Sequence, residues 1–520
     1  MNTEEIRALA FATIPDMLRL HAAGTPRRHA LLLGEGGLDY AGLDVLVDRV
    51  AASLQGAGLA PRDAIAICAA TSIEYAALFL GALRAGVAVA PLAPSSTGEE
   101  IVNMALDAGA KRFFHDAAAA QRLGKAIERL DVPRIALDGS VCGTPFRTWL
   151  APEGVRPQPV ALQPDWAFNL IYSSGTTGTP KGVEQSHAMR WGHVLRAAPY
   201  GYGPDSVTLI STPLYSNTTL VCFFPALALG GTVVLMPKFD AADYLALAAR
   251  HRVTHTMLVP VQYQRIMAQA NFGDHDLSSF RCKLSTSAPF RAELKADVLA
   301  RWPGGLVEIY GMTEGGGNCI LVAHEHPDKL HTVGRPPAGH DVRIIDTDGR
   351  ELARGETGEV VGNSAIMMTA YHRRPDRTAE AEWYDGSGKR FIRTGDVGRF
   401  DEDGFLVLLD RRKDMIISGG FNVYPSDIEA VLRGYPGIAE AAVVGVPSER
   451  WGETPVAFVV PQDGAGLIPQ ALLEWTNARV GKIQRLAAVE LVESLPRNGI
   501  GKVLKRELRE TYCSRPRSVA

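Results

Sequence analysis

The chain has 520 residues, 46% of them apolar, with 54 Lys and Arg against 57 Asp and Glu for a formal net charge of −3. That length suits roughly two to four domains, and the near-neutral, evenly mixed charge gives no basis for a nucleic-acid groove or an anionic membrane surface. Six cysteines, Cys68, Cys142, Cys222, Cys282, Cys319 and Cys513, form no CxxC pair or metal-ligand spacing, so a reduced cytoplasmic setting is expected.

Taken in chain order, "MNTEEIRALAFATIPDML" begins acidic and lacks the basic-then-apolar pattern of an export signal, and the terminal "RSVA" matches no peroxisomal or prenylation signal. From about residue 30 to 310 strand-like and helix-like runs alternate. "AIAICAA" (64–70), helical "SIEYAALFLGALRAG" (72–86) and "VAVAPL" (87–92) set the rhythm. It returns in "SVTLIST", "GTVVLMP", "VTHTMLVP", "CKLSTSA" and "LVEIYG". Strands this continuously apolar belong to parallel sheets covered on both faces. The most apolar stretch, "TTLVCFFPALALGGTVVLM", is broken by Pro225 and Gly230–Gly231, which predicts two buried elements flanking a turn and not a membrane span.

Past about residue 330 the pattern changes to short runs punctuated by DG turns at 348–349 and 403–404, as in antiparallel hairpins or a small barrel. A charged run near 410–413 reads as a linker. Helices and strands mix again over 414–520, as in a separate small α+β domain. The expected fold class is α/β: a large N-terminal region over 1–409, with α/β layers to about 330 and a small β-barrel over about 331–409, then a hinge at 410–413 and a C-terminal α+β domain.

Four stretches carry chemistry. "YSSGTTGTPKGV" (172–183) follows the apolar run "WAFNLIY", and its glycines, hydroxyls and Lys181 suit a phosphate loop. It is not G-x-x-x-x-G-K-[ST], since Pro180 precedes Lys181 and Gly182 follows it. "EIYGMTEGGG" (308–317) places Tyr310 at a predicted strand end with Thr313 and Glu314 beyond it. Ligands bind at such ends of parallel strands, where a ring can stack on a purine and a carboxylate can hold Mg²⁺. Within "FIRTGDVGRFDEDGFLVLLDRRKDMIISGGFNVYPSDIE" (391–429), Asp396 suits ribose hydroxyls and Arg411 a phosphate. "PRNGIGKVLK" (496–505) sets Lys502 in a Gly-rich loop before a basic helix. Singly, each of the last three also fits an ordinary turn with a solvated charge.

Together these stretches resemble the adenylate-forming superfamily of acyl-CoA synthetases, nonribosomal peptide synthetase adenylation domains and luciferases. The resemblance runs from about residue 15 to 508, with every core motif in order. It implies that Ser173, Ser174, Gly175, Thr176, Thr177, Gly178 and Lys181 hold the β- and γ-phosphates of ATP. Ser287, Ala288 and Pro289 would flank adenine with Tyr310 and Gly311. Thr313 would contact the α-phosphate, Glu314 would bind Mg²⁺, Asp396 the ribose, and Arg411 ribose or phosphate. Lys413 would sit at the hinge, and Lys502 would bridge carboxylate and α-phosphate. After rotation of a mobile C-terminal domain, Gly419, Gly420 and Phe421 would face the tunnel for the CoA thiol. The implied reaction is carboxylate plus ATP to acyl-AMP and pyrophosphate, then thiolysis to acyl-CoA and AMP. Lys502 would also suit a lysine acetyltransferase as a switch, since acetylation would remove the charge adenylation needs. A homodimer is compatible with the sequence.

The acyl pocket is expected at Tyr215, Ser216, Asn217 and Gly315, Gly316, Gly317. No Asp occurs in "PLYSNTTL" (213–220), where amino-acid-activating relatives pair the substrate ammonium, and Ser216 stands where many acyl- and aryl-CoA ligases carry His. The three glycines leave room for a flat or elongated acid, or else serve the backbone. No cation in these segments suits a second carboxylate. The expected substrate is a monocarboxylic aromatic or arylpropenoic acid, with a medium- or long-chain fatty acid as alternative. Free CoA is the expected acceptor, a carrier-protein phosphopantetheine the alternative, and a non-catalytic nucleotide-binding relative the reading from another class.

Overall fold

The computed structural model describes residues 3–173, 181–411, 414–418, 421–497 and 501–514, with backbone alone at Thr3, Ser173 and Asn422. The chain divides into two compact units, Met1–Val342 with Gly362–Ile392, and Arg343–Val361 with Arg393–Ala520.

The first unit holds two eight-stranded sheets. One runs Cys319–Val322, Gly305–Tyr310, Cys282–Ser285, His255–Leu258, Val207–Ile210, Thr232–Leu235, His29–Leu33 and Gly36–Asp39, parallel except at its two edges. The other has Ala64–Cys68 and Ala88–Pro91 at its centre, every residue of both buried. Its parallel order passes through Ala167–Ser173 and then turns antiparallel at Lys181–Ser186 and Ala370–Tyr371. The apolar alternation along the sequence thus becomes doubly covered parallel sheets, as expected.

Helix starts follow local chemistry. Ser72 Oγ accepts from the Tyr75 amide at 3.0 Å to cap Ile73–Arg84. Ser186 Oγ does the same for His187–Ala197, accepting from Met189 N at 3.1 Å. The apolar stretch around Pro225 resolves into helix Asn217–Ala228 and strand Thr232–Leu235, joined through Gly230 at φ +84°. Among the described residues no helix is long and apolar enough to cross a membrane.

The unit boundaries fall inside Asp341–Ile345, Gly358–Asn363 and Arg390–Phe400, three strands of a five-stranded sheet. In the second unit Arg390–Phe400 pairs antiparallel with Leu406–Arg411, which sets Asp396 opposite Arg411. A further five-stranded sheet is built on Ile438–Ser448 and Gly452–Pro461, which Ala488–Leu491 extends in parallel. Helices Pro425–Arg433 and Pro469–Asn477 pack Ile428, Leu432 and Leu472 onto Val443 and Val459. This is the α+β arrangement expected of the C-terminal region.

Candidate active site

In the first unit the phosphate-loop motif is framed by two paired strands. Ala167–Ser173 and Lys181–Ser186 run antiparallel with Tyr172 opposite Gly182 and Ser173 opposite Lys181. Ser174, Gly175, Thr176, Thr177 and Gly178 lie outside the described residues, as do Lys413, Gly419 and Gly420. The frame itself is anchored: Tyr172 OH donates to Asp107 Oδ2 at 2.8 Å, and burial and that carboxylate push the phenol's pKa upward. A side chain at Gly182 would meet the Tyr172 ring at 3.1 Å, so the glycine permits this close strand pairing.

Beyond the loop, Lys181 Nζ stands 5.0 Å from the centroid of the Tyr371 ring. Tyr371 OH donates to Glu314 Oε1 at 2.7 Å, and Met368 N donates to Glu314 O at 2.7 Å. Tyr371, on the strand Ala370–Tyr371, therefore meets the loop lysine over its ring and the candidate Mg²⁺ carboxylate at its hydroxyl. Burial and then Glu314 raise the phenol's pKa, which keeps it a neutral donor to the carboxylate. Tyr371 was not singled out by sequence. Its only signal was a tyrosine at the end of the apolar run "AIMMTAY".

Strand Gly305–Tyr310 ends where its residues were expected to bind nucleotide, with Tyr310 paired to Cys319. Asn318 spans this turn, donating from Nδ2 to Tyr310 O at 3.0 Å and packing directly where a Gly311 side chain would be. Ser287 adopts φ +79°, a left-handed conformation costly for a non-glycine residue. Its hydroxyl pairs with Thr218 Oγ1 at 2.6 Å, joining the candidate adenine segment to the helix of the candidate acyl pocket. Ala288 is half-buried and Pro289 exposed.

The three glycines leave no space on their side-chain side. A Cβ on Gly315 would strike Ile366 O, one on Gly316 would lie 2.8 Å from Gly362 O, and one on Gly317 would strike Val342. Ser364 Oγ also donates to Gly316 O. Of the two expectations for these glycines, room for an acid or service to the backbone, the contacts favour the second: Val342 and segment 362–367 lie where the side chains would be, and the glycines allow a close backbone approach. Ser216 is buried at the start of helix Asn217–Ala228, and its side chain makes no capping bond. Tyr215 is half-buried.

Behind Asn217 lies a polar network absent from the sequence-based expectations. Arg190, only 1% exposed, donates from Nε to Asn169 Oδ1 at 3.0 Å and from Nη2 to Asn217 Oδ1 at 2.9 Å. Its Nη2 also donates to Gln185 Oε1. That fixes the Gln185 amide so that its Nε2 donates to Thr313 O at 2.7 Å. Two signals pointed to it: an Asn inside the apolar run "WAFNLIY", and Arg190, His193 and Arg196 spaced by three along a helix.

In the second unit, Arg411 Nε meets Asp396 Oδ1 at 2.6 Å across paired strands. Thr394 Oγ1 bonds Asp396 N at 3.0 Å and Val360 O at 2.8 Å. The candidate ribose and phosphate residues are thus one ion pair. The Lys502 loop is held from both sides: Arg497 Nη1 donates to Gly501 O at 2.6 Å, and Leu504 N to Pro496 O at 2.8 Å. Arg497 Nη2 is anchored in turn on Glu440 Oε2 at 2.6 Å. Helix Lys505–Ser514 follows at once, with Lys505 Nζ 2.9 Å from Glu429 Oε1. Phe421 is 61% exposed.

Among the described residues no cluster of three or more His, Cys, Asp or Glu could cage a metal. The resemblance assigns Mg²⁺ to Glu314, and such an ion is ordinarily held by one or two carboxylates plus phosphate oxygens, so no larger cluster is needed.

The family model of the AMP-binding enzymes matches residues 18–372, and that of the AMP-binding enzyme C-terminal domain matches 427–502. A feruloyl-CoA synthase of an Amycolatopsis species is 35% identical over 494 residues, covering 93% of this chain and 96% of the relative. The fatty acid–[acyl-carrier-protein] ligase ScoC of Streptomyces coeruleorubidus is 33% identical, covering 96% of each. The ATP-bound structure of MatB from Rhodopseudomonas palustris superimposes with a TM-score of 0.85 at 30% identity, over 96% of this chain and 99% of that one. With both models matched in order and the motif residues placed at strand ends and anchored loops, the chain belongs to the AMP-binding enzymes, in the acyl-CoA synthetase branch of the adenylate-forming superfamily.

Proposed function

We propose that this protein activates an aromatic or arylpropenoic carboxylic acid as its acyl-adenylate and passes the acyl group to the thiol of free CoA, using ATP and Mg²⁺. The observation that carries the reading is the Lys181–Tyr371–Glu314 arrangement beside the strand end bearing Thr313. It gathers a cation and a restrained carboxylate where a triphosphate and its Mg²⁺ need them.

In the first half-reaction a carboxylate oxygen bonds to the α-phosphorus while the bond to the departing pyrophosphate breaks. No general base is required, since the acid is already ionised near neutral pH. The phosphate loop with Lys181 steadies the β- and γ-phosphates, and Thr313 touches the α-phosphate. Asp396 takes the ribose hydroxyls, and Ser287–Pro289 with Tyr310 flank adenine. Lys502 draws the two anions together and offsets the charge that builds as they meet. Glu314 would hold Mg²⁺, which when bound would neutralise phosphate charge. In the second half-reaction the thiol sulfur bonds to the acyl carbon, AMP leaves with the bridging oxygen, and the thiol proton goes to solvent. A hinge at 410–413 between 1–409 and 414–520, containing Lys413, lets the C-terminal domain present segment 418–423 to the thiol.

The aromatic preference is supported by the aryl substrate in the feruloyl-CoA synthase name and by the mixed polar lining at Tyr215, Ser216 and Asn217. A carrier-bound phosphopantetheine acceptor is the second reading, favoured by the likeness to an acyl-carrier-protein ligase. Intact Glu314, Asp396 and Lys502 weigh against a non-catalytic relative. We place the reaction in the cytoplasm, on the evidence of six free cysteines without disulfide partners, and further propose acetylation of Lys502 and homodimerisation as its controls. Pyrophosphate release across cinnamates, benzoates and fatty acids, with and without CoA, tests the reading. Fastest turnover of an aryl acid to its CoA thioester supports it; fatty acids turned over faster, or transfer only to a carrier protein, would favour the second readings.

A further inference from the structure

Helix His187–Ala197 touches each segment of the candidate acyl pocket. Arg190 Nη2 reaches Asn217 Oδ1 at 2.9 Å and Arg196 Nη1 reaches Asn318 Oδ1 at 3.0 Å. Met189 Cε lies 3.0 Å from where a Gly315 side chain would start. The pocket's wall on this side is therefore a basic helix, although "PLYSNTTL" and the glycine run contain no cation.

Two features of that wall are unfinished. Arg190 is fully buried, its protein acceptors are three neutral amides, and no carboxylate pairs with it among the described residues. Its Nη1 has no hydrogen-bond partner, and one helical turn on, at 5% exposure, His193 Nδ1 has none either. A buried polar atom left without a hydrogen-bond partner is costly, more so when charged. Two of them three residues apart on one helix face mark a place where a ligand supplies the missing oxygen. Electrostatics agree. Burial drives the Arg190 pKa down to about 9 and Arg196 to about 10. Burial, then Arg196, Arg190 and His340, hold His193 well below its usual value, so the cluster lacks a negative partner.

We propose that Arg190 and His193 form a specificity subsite for a distal acceptor oxygen on the acid's tail, a ring hydroxyl or a second carboxylate. The inference rests on the acid-activation reading above and narrows its substrate class. A site built to hydrogen-bond such a group rejects the analogue lacking it far more strongly than an apolar pocket rejects a changed methylene.

The test measures kcat/KM for pyrophosphate release with cinnamate, 4-hydroxycinnamate and 4-carboxycinnamate. The natural enzyme should prefer at least one oxygen-bearing acid over cinnamate by tenfold or more. Preference for the hydroxyl or for the carboxylate identifies which oxygen the site takes. In Arg190→Leu that preference ratio should collapse toward one, and Arg190→Lys should restore part of it. No preference in the natural enzyme overturns the subsite without recourse to a variant. An equal loss on all three acids in Arg190→Leu overturns it too, leaving Arg190 as a support for Gln185 and Thr313. No pyrophosphate from any acid, aryl or fatty, would instead defeat the ligase reading, and this inference with it.

Discussion

Lys502 and Glu314 show how differently two charges are held. Lys502 sits in a loop whose ends are tied by Arg497 and by the Leu504–Pro496 bond, whereas Glu314 is buried and fixed by the Tyr371 phenol. Lys502→Ala should abolish acid-dependent pyrophosphate release yet largely spare thioester formation from pre-made acyl-adenylate; equal loss of both half-reactions would contradict the assigned role. Tyr371→Phe removes one hydrogen bond from Glu314, the carboxylate proposed for Mg²⁺. It should raise the Mg²⁺ concentration for half-maximal pyrophosphate release by about tenfold, the scale of outer-shell effects on metal sites; an unchanged Mg²⁺ titration would show that the phenol does not tune it. Glu314 and Lys502 were legible because their neighbours in sequence form the motif. Tyr371 and Arg190 were not, because partners such as Glu314, 57 residues from Tyr371, and Asn169 and Asn217, 21 and 27 from Arg190, lie on other elements and only folding selects them.

At the scale of elements, the parallel strands were legible from apolar runs, and helix starts from Ser72 and Ser186. The turn at 315–317 was half legible. Three glycines announced an unusual backbone, but only the fold shows segment 362–367 filling the space beside them. Gly315 has φ +73° and faces Ile366 O, so Gly315→Ala meets both a disfavoured conformation and a backbone clash. It should destabilise the protein by about 3 kcal/mol, read as a lower denaturant midpoint at unchanged slope. A variant as stable as the natural protein would mean the 362–367 segment does not press on this turn. The network around Gln185 was signalled only by an Asn in an apolar strand and by basic residues three apart on one helix, because hydrogen-bond partners on different elements share no common periodicity.

Across the whole molecule, burial has set several histidines to be neutral. His187, His255 and His340 are each pushed down to about 4, chiefly by burial. His193 is also held well below its usual value, chiefly by burial. A histidine with folded pKa below its unfolded value takes up a proton on unfolding between the two, so its contribution is present above about pH 6.5 and lost as pH falls toward 4. Glu308, raised to about 7 by burial, works in the opposite direction but is outnumbered. The thermal midpoint should therefore fall between pH 6.5 and 4 with net proton uptake on unfolding, measurable by calorimetry in buffers of different ionisation enthalpy; a flat midpoint would refute it. The central claim, attack of a carboxylate on the α-phosphorus followed by thiolysis, is tested most directly by an isotope label. With the acid's carboxylate oxygens labelled, a full turnover with ATP and CoA should place one labelled oxygen in AMP and leave pyrophosphate unlabelled. ADP as the product, or label in inorganic phosphate, would contradict the account.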